Sequence, residues 1–361
     1  MKNKTNLKIL FDGPFYSTPH AGIARYFNNI SRKLSYNNET YFSRRIDQSK
    51  SKEVKLPKFR HFRPHRLSFQ LEKLWFQAFK RSHFDIVHLV EYELSPTGLF
   101  FIDRGSKLVI TIHDLIHEQI GAPSNLLDKN KRQNTYQKAD AIIFDSYATR
   151  DDFRIYYPDV SLDNKINSVI WLGSSFNAPE KHRNEKKHQF LFVGARNGYK
   201  NFKTALEAFI HHSKSYKDAK LVVVGSPPTP RELEIVNSNK LNANWVSYST
   251  DDVLKKLYQE SIALLYLSNK EGFGLPVVEA MSMGCVPLAG NHSSLSEVLG
   301  NEGMYVDQND PRDVASKMER LLIDLNFRAC KIQSGLDRSK VFSWDITSKK
   351  ILSTYHSIFN H

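Results

Sequence analysis

The chain has 361 residues, of which 40% are hydrophobic and 25% charged, a composition typical of globular proteins that argues against intrinsic disorder. Its longest apolar runs, such as 262–267, are strand-sized, whereas a membrane-spanning helix needs about 20 apolar residues, so any membrane contact would be peripheral. With only Cys285 and Cys330 and no visible export signal, we expect a cytoplasmic protein, and the length favours two domains.

Short β-branched or apolar runs alternate with longer amphipathic stretches along the chain, a pattern typical of parallel α/β sheets. The candidate strands are 8–11, 86–89, 108–112, 141–144, 190–193, 221–224 and 263–267. The candidate helices between them include 22–34, 134–138, 202–213, 252–260 and 276–283.

The net charge of +13 is concentrated in one segment between Arg44 and Arg81, which holds twelve Lys or Arg and three acidic residues and is interleaved with aromatic residues. On an anionic membrane each such cation contributes about 1 kcal/mol, so we predict reversible binding to the inner face of a membrane. The alternative is a solvated basic face whose aromatic residues belong to the core.

A polar stretch, 177–188, has no apolar periodicity and separates two series of strands and helices, so we predict a domain boundary near residue 178. Two doubly wound domains that face each other would place a ligand cleft between them, at the carboxyl ends of their strands.

The loop after the first candidate strand contains no Gly-x-Gly-x-x-Gly fingerprint, and no phosphate-binding P-loop sequence occurs in the chain. Nicotinamide-dependent hydride transfer and P-loop phosphoryl transfer therefore lose support. A loop that opens a helix at Gly22 still offers backbone donors to a ligand.

His113 and His117 follow the candidate strand 108–112. Four residues apart, they could share a helical face and hold a metal ion, but the sequence places no third ligand and the order is not His-Glu-x-x-His. We expect His113 to end the strand and face the cleft, with a packed, hydrogen-bonded core histidine as the alternative.

A strand, a glycine turn and a helix are predicted over 190–202, with Arg196 and Lys200 in the turn. Two cations at the carboxyl end of a strand can converge on a diphosphate, Arg through bidentate bonds and Lys as a compact charge. The alternative is a pair of solvated surface cations.

The most informative segment runs from Glu271 to Glu279 and reads Glu-Gly-Phe-Gly-Leu-Pro-Val-Val-Glu. Its glycines allow a tight turn and a close approach to a ligand, and Pro276 suits the first turn of a helix whose free N–H groups form an anion site. Glu279, in the first turn, could accept hydrogen bonds from a ribose. Glu279 could instead be a helix-dipole partner, and Glu271 a solvated turn residue.

Together these segments resemble glycosyltransferase family 4, whose members have the GT-B fold and are retaining enzymes. The Glu-x7-Glu pair of Glu271 and Glu279 is the most specific match, and 193–201 is similar to the family's phosphate-binding segment. Further matches lie at 22–26, 109–114, 139–146 and 294–298.

The resemblance implies an α/β GT-B architecture of two facing Rossmann-like domains. Residues 1–177 would bind the acceptor, residues 178–343 would bind the nucleotide-sugar donor, and a C-terminal helix in 344–361 would cross back onto the N-terminal domain.

The resemblance also assigns roles to individual residues. Glu279 would bind the donor ribose, and Tyr248 would line the base pocket. His113 and Glu271 would be the catalytic residues and would contact the transferred sugar. The donor diphosphate would bind Arg196, Lys200, Gly22, Gly274 and Leu275, and the sugar would also contact Gly272 and Phe273.

The implied activity is retaining transfer of a hexose from a nucleotide diphosphate sugar, such as UDP-glucose or GDP-mannose, to a saccharide or lipid-linked acceptor in cell-surface polysaccharide or glycan synthesis. No convincing Asp-x-Asp motif is present, so Arg196, Lys200 and the helix N-terminus would neutralise the leaving group without a metal or other cofactor. The resemblance also suggests front-face attack.

Two other functions stay open at this point. One is a nucleotide-sugar epimerase on the same fold; a phosphorylase would need a pyridoxal lysine motif that the sequence lacks. The other is a nucleic-acid-binding protein, which the pI of about 9.4 suggests but no recognised binding motif supports, so we expect no nucleic-acid partner.

Overall fold

A computed structural model describes residues 6–15, 22–45, 71, 83–90, 92, 94–122, 128–176, 186–196, 198–247 and 250–360. The chain divides into two compact units, one formed by Met1–Gly173 with Trp344–His361 and the other by Ser174–Ser343. The boundary predicted near residue 178 and most of the basic segment 44–81 lie outside the described residues.

The first unit contains a six-stranded, wholly parallel sheet with the strand order β2-β1-β3-β4-β5-β6. Its strands are β1 (Lys8–Phe15), β2 (Glu39–Arg45), β3 (Ile86–Leu89), β4 (Lys107–Ile112), β5 (Ala141–Phe144) and β6 (Ile166–Val169). Its helices are α1 (Gly22–Leu34), α2 (Pro96–Ile102), α3 (Ile116–Gln119), α4 (Lys129–Lys138), α5 (Tyr147–Tyr156) and, from the end of the chain, α13 (Trp344–Ile358).

The second unit contains another six-stranded parallel sheet, with the order β12-β11-β10-β7-β8-β9. Its strands are β7 (Gln189–Val193), β8 (Lys220–Val224), β9 (Ala243–Val246), β10 (Ala263–Tyr266), β11 (Val286–Ala289) and β12 (Met304–Tyr305). Its helices are α6 (Phe202–Ser215), α7 (Pro230–Ser238), α8 (Asp251–Glu260), α9 (Leu275–Ser282), α10 (Ser293–Leu299), α11 (Pro311–Ile323) and α12 (Leu325–Ser339).

The central strands are buried on both faces, as expected for parallel sheets covered by helices. Every residue of β3, β5, β10 and β11 is buried. The α/β architecture that the sequence predicts, two Rossmann-like sheets in one chain, is thus confirmed. No helix in the described part of the chain is both long and apolar enough to cross a bilayer.

Side chains of the last helix, α13, connect it to the sheet of the first unit. Trp344 packs edge-on against Tyr26, with ring centroids 6.0 Å apart. The Tyr355 hydroxyl lies 2.6 Å from His88 Nδ1, and His88 Nε2 lies 2.8 Å from Thr111 Oγ1. Burial lowers the pKa of His88 to about 3, so this central histidine is neutral and serves as a hydrogen-bonding link.

Loops that follow the strands lie at the same edge of each sheet, because neighbouring parallel strands end in register. In the first unit Ile112 of β4 is paired with Phe144 of β5, so that His113 and Asp145 are the next residues at that edge. In the second unit β7 lies between β10 and β8, and the loop after β7 can reach the loops that follow both neighbours.

Candidate active site

The loop between β10 and α9 depends on Gly274. This residue precedes the first residue of α9 with φ 99°, in the left-handed region that favours glycine. A Cβ atom at this position would also lie 2.9 Å from Leu295 Cδ2, closer than carbon atoms normally approach. The backbone conformation therefore favours glycine at the start of the helix, and a Cβ atom there would force the Leu295 side chain to shift.

Lys200 and Glu271 form an ion pair across this loop. Lys200 Nζ lies 2.6 Å from Glu271 Oε1, and only 18% and 8% of the two side chains are exposed. The ammonium group also lies over the rings of Tyr199 and Tyr266, at 5.2 and 5.5 Å from their centroids. The structure thus brings together two of the predicted site residues from separate loops.

The Glu271 position is fixed from several sides. Its backbone oxygen accepts hydrogen bonds from Ser293 Oγ at 2.8 Å and from Ser294 Oγ at 3.0 Å. Burial together with the neighbouring Glu271 carboxylate raises the pKa of Tyr266 well above its usual value. The reading of Glu271 as a solvated turn residue is therefore wrong.

Arg196 points to the other side of β7. Its Nε lies 2.8 Å from Glu232 Oε1 and its Nη2 lies 3.1 Å from Glu232 Oε2, a bidentate pair. Its Nη1 and Nη2 also donate to the backbone oxygens of Ser226 and Pro227, at 2.7 and 2.6 Å. Arg196 and Lys200 are therefore not surface cations in water, and here each has a carboxylate partner of its own.

The sequence predicts Glu279 in the first turn of the helix. In the structure Glu279 is the fifth residue of α9 and lies beyond that turn. Its carboxylate is therefore poorly placed to act as a helix-dipole partner. The side chain is buried, with the residue 4% exposed, and the Tyr258 hydroxyl lies 3.3 Å from its Oε2. Phe273, in the loop before α9, packs edge-on against Phe342, with ring centroids 5.7 Å apart.

His113 forms the core of a second cluster, in the first unit. Its Nδ1 lies 2.7 Å from Asp145 Oδ2, and its ring packs edge-on against Tyr26 and Phe27, with centroids 4.9 and 5.9 Å away. Burial lowers the pKa of His113, but the Asp145 carboxylate outweighs burial and raises it above the ordinary value. Its Nε2 is buried and has no hydrogen-bond partner among the described residues.

The metal-site reading of His113 and His117 finds no support. His117 is exposed on α3, and the described residues contain no group of three His, Cys, Asp or Glu side chains that could hold a metal ion. Gly22 begins α1 in an exposed position where a Cβ atom would meet nothing within 4 Å. Tyr248, the predicted base contact, lies outside the described residues.

Two acidic residues that the sequence analysis did not single out belong to these clusters. Asp145 directly follows the buried strand β5. A polar residue at the end of a buried strand is a signal that could have marked Asp145 as a site residue. Glu232 lies three residues after Thr229, the capping-box spacing, and the structure contains that box. The spacing predicts the start of α7, but only the strand order shows that Glu232 faces Arg196.

Two models of known protein families together match most of the chain. Residues 174–335 match the family model described as glycosyl transferases group 1, and residues 16–164 match the model of glycosyltransferase family 4. The chain belongs to the group 1 glycosyltransferases.

This glycosyltransferase is similar to curated proteins of Escherichia coli. It is 34% identical to O-antigen chain mannosyltransferase B over 111 residues, which are 31% of this chain and 29% of that protein. It is 26% identical to the serotype-specific mannosyltransferase WbdA over 264 residues, which are 67% of this chain and 32% of that protein. The chain thus spans about a third of the length of these relatives.

The predicted GT-B fold is confirmed by comparison with a solved structure. The complex of Anabaena HepE with UDP and glucose superposes with a TM-score of 0.73, covering 96% of this chain and 99% of that chain at 14% sequence identity. At this identity the likeness establishes the GT-B fold and no more.

Proposed function

We propose that this glycosyltransferase transfers a hexose, with retention of configuration, from a nucleotide diphosphate sugar to a saccharide or lipid-linked acceptor in O-antigen or related polysaccharide synthesis. The observation that carries the proposal is the Lys200–Glu271 pair beside the helix start at Gly274. A cation, a carboxylate and the N-terminus of α9 lie together there, and they suit a diphosphate and the hydroxyl groups of a sugar.

The donor diphosphate would replace Glu271 as the partner of Lys200. The ammonium group then neutralises charge on the leaving diphosphate, and the released Glu271 carboxylate accepts hydrogen bonds from sugar hydroxyls. Glu279, farther along α9, binds the ribose diol. In front-face transfer the anomeric carbon loses its bond to the diphosphate and gains one to the acceptor oxygen, whose proton passes to a phosphate oxygen.

GDP-mannose is the donor that we propose. Two curated relatives at 34% and 26% identity are named mannosyltransferases, whereas the structural neighbour bound to UDP and glucose is only 14% identical. UDP-glucose and other UDP-hexoses are the competing donors.

Thermal unfolding with a panel of sugar nucleotides tests this proposal. A donor present at 100 times its dissociation constant should stabilise the protein by about 2.7 kcal/mol. We expect GDP-mannose and GDP to raise Tm more than UDP-glucose and UDP, and release of GDP to require an acceptor. A shift with UDP-hexoses alone would change the donor, and no shift with any sugar nucleotide would contradict the function. Conversion of the sugar nucleotide without an acceptor would favour an epimerase.

We also propose that transfer needs no metal ion, because Lys200 and the N-terminus of α9 supply positive charge at the leaving group, and Arg196 joins them when the diphosphate displaces Glu232 as its partner. Full activity is expected after treatment with excess EDTA and gel filtration into metal-free buffer. Loss of activity that Mg²⁺ or Mn²⁺ restores would show that a divalent ion shares this role.

A further inference from the structure

The pair formed by His113 and Asp145 contains two polar atoms that the protein does not satisfy. His113 Nε2 and Asp145 Oδ1 are both buried without a hydrogen-bond partner among the described residues. His113 is 8% exposed and Asp145 is 1% exposed. Because unpaired buried polar atoms destabilise a protein, this arrangement indicates that Nε2 bonds a ligand.

The pair is held rigidly on both sides. Each residue directly follows a strand, and β4 and β5 are paired up to their last residues, Ile112 and Phe144. The imidazole ring packs edge-on against Tyr26 and Phe27. The Nδ1 atom lies 2.7 Å from Asp145 Oδ2, so Nε2 is the ring atom that is left for a ligand.

The carboxylate decides what Nε2 can do. With Nδ1–H donated to Asp145, a neutral imidazole presents Nε2 as an acceptor, and an imidazolium presents Nε2–H as a donor. The other charged or titratable groups that act on the pair are Asp114 beside it, the neutral His88 of β3, and Tyr26 of α1. Tyr26 packs edge-on against the ring, and Asp145 is the group that hydrogen-bonds it. Burial raises the pKa of Asp145, and the contact with His113 opposes this shift.

We propose that Asp145 is a positioning residue that keeps His113 as an imidazolium, so that Nε2–H donates a hydrogen bond to a sugar hydroxyl oxygen of a substrate. This inference rests on the proposed function. Asp145 itself does not touch the substrate; it acts through the orientation and charge of the His113 ring.

The pH dependence of transfer separates this role from a structural one. Activity that needs the imidazolium falls as pH rises through the pKa of His113. Asp145→Asn keeps the shape and removes the charge, so the pKa of His113 should fall and the loss of kcat/KM should begin at lower pH. A fall of one pKa unit makes kcat/KM about tenfold lower than wild type above both pKa values, with the two profiles converging at low pH.

NMR of the imidazole nitrogens tests the proposal without turnover. His113 signals are assigned by their loss in His113→Gln. In the wild-type protein we expect both ring nitrogens protonated at pH 6.5, and in Asp145→Asn a neutral ring at that pH. A wild-type ring that is already neutral at pH 6.5 would overturn the proposal, and this measurement stands even if Asp145→Asn fails to fold.

Addition of the sugar nucleotide, and separately of an acceptor saccharide, distinguishes this proposal from the proposed function. If a sugar nucleotide stabilises the protein but neither addition moves the His113 signals, the transferase assignment stands and the role of Asp145 is wrong. If nothing in the sugar-nucleotide panel binds, the proposed function itself fails.

Discussion

The two units treat the charges at their strand ends differently. In the second unit Lys200 and Arg196 each meet a glutamate of the same unit, Glu271 and Glu232. In the first unit the His113–Asp145 pair leaves one atom of each residue unsatisfied. Paired cations have to change partner when an anionic ligand binds, whereas the histidine already presents a free atom. The second unit therefore compensates the charges at its strand ends internally, whereas the first holds its histidine in one orientation by the bond to Asp145.

Lys200→Ala gives the largest effect that we expect. It removes the charged hydrogen bond to the diphosphate and leaves the Glu271 carboxylate without its cation, so transfer should drop about ten- to hundredfold. Lys200→Arg should not restore it, because a planar guanidinium does not replace a compact ammonium. Steady-state kinetics measure both effects.

Lys203→Ala is the matched control for Lys200, because Lys203 is 85% exposed and pairs with Glu207 on the same helix. It should leave transfer unchanged. Equal activity of Lys200→Ala and the wild type would remove Lys200 from the donor site.

Gly274→Ala tests whether the loop that holds Glu271 depends on its backbone shape. A residue with a side chain in the left-handed region is destabilised by about 1–3 kcal/mol, and the contact with Leu295 adds to that. Gly105→Ala is the control, since Gly105 has φ +91° but open space around it. Chemical denaturation should show a larger loss for Gly274→Ala, with reduced transfer. Equal losses would mean that the loop adjusts around Leu295.

The sequence predicts the central strands better than the edges. All seven candidate strands form, because short continuous apolar runs are typical of strands buried on both faces. The edge strands β2 and β6, with sequences ETYFSRR and INSV, are too polar to recognise. The strand β11 is also hard to recognise, because it contains Pro287 and proline lacks the backbone N–H that a strand ladder uses.

The candidate site was only partly predictable for a related reason. The segments 190–202 and 271–279 identify Glu271, Lys200 and Arg196 as site residues. The sequence does not show the order of the strands in the sheet. The strand β7 lies between β10 and β8, so Lys200 reaches one neighbouring loop and Arg196 the other. Their partners follow from topology, not from spacing.

His88 provides a pH test of the link between α13 and the first sheet. Its folded pKa of about 3 lies below the ordinary value of 6.5. The unfolded chain therefore gains a proton that the folded chain does not, and stability that is complete above pH 6.5 is lost as pH falls towards 3. The wild-type advantage over His88→Asn should shrink by about 1.4 kcal/mol per pH unit below 6.5.

Unfolding free energies of the wild type and His88→Asn between pH 7.5 and pH 5 measure this difference. Replacement of the exposed His117 by Asn serves as the control and should leave the pH dependence unchanged. A constant gap between the wild type and His88→Asn over this range would show that His88 titrates with the same pKa in the folded and the unfolded protein.

Glu232→Gln should have the smallest effect, and it tests whether the partner of Arg196 competes with the donor. The amide still accepts a hydrogen bond from Arg196 but lacks the charge, so Arg196 turns more readily to a diphosphate. We expect the KM for the donor to fall by roughly two- to fivefold, the size of a partly screened ion pair. Glu234→Gln is the control, because Glu234 forms an exposed pair with Arg231 on the same helix. If Glu232→Gln instead raises KM as Arg196→Ala does, Glu232 orients Arg196 and does not compete for it. In a double-mutant cycle, competition requires that Glu232→Gln has no effect on KM once Arg196 is Ala.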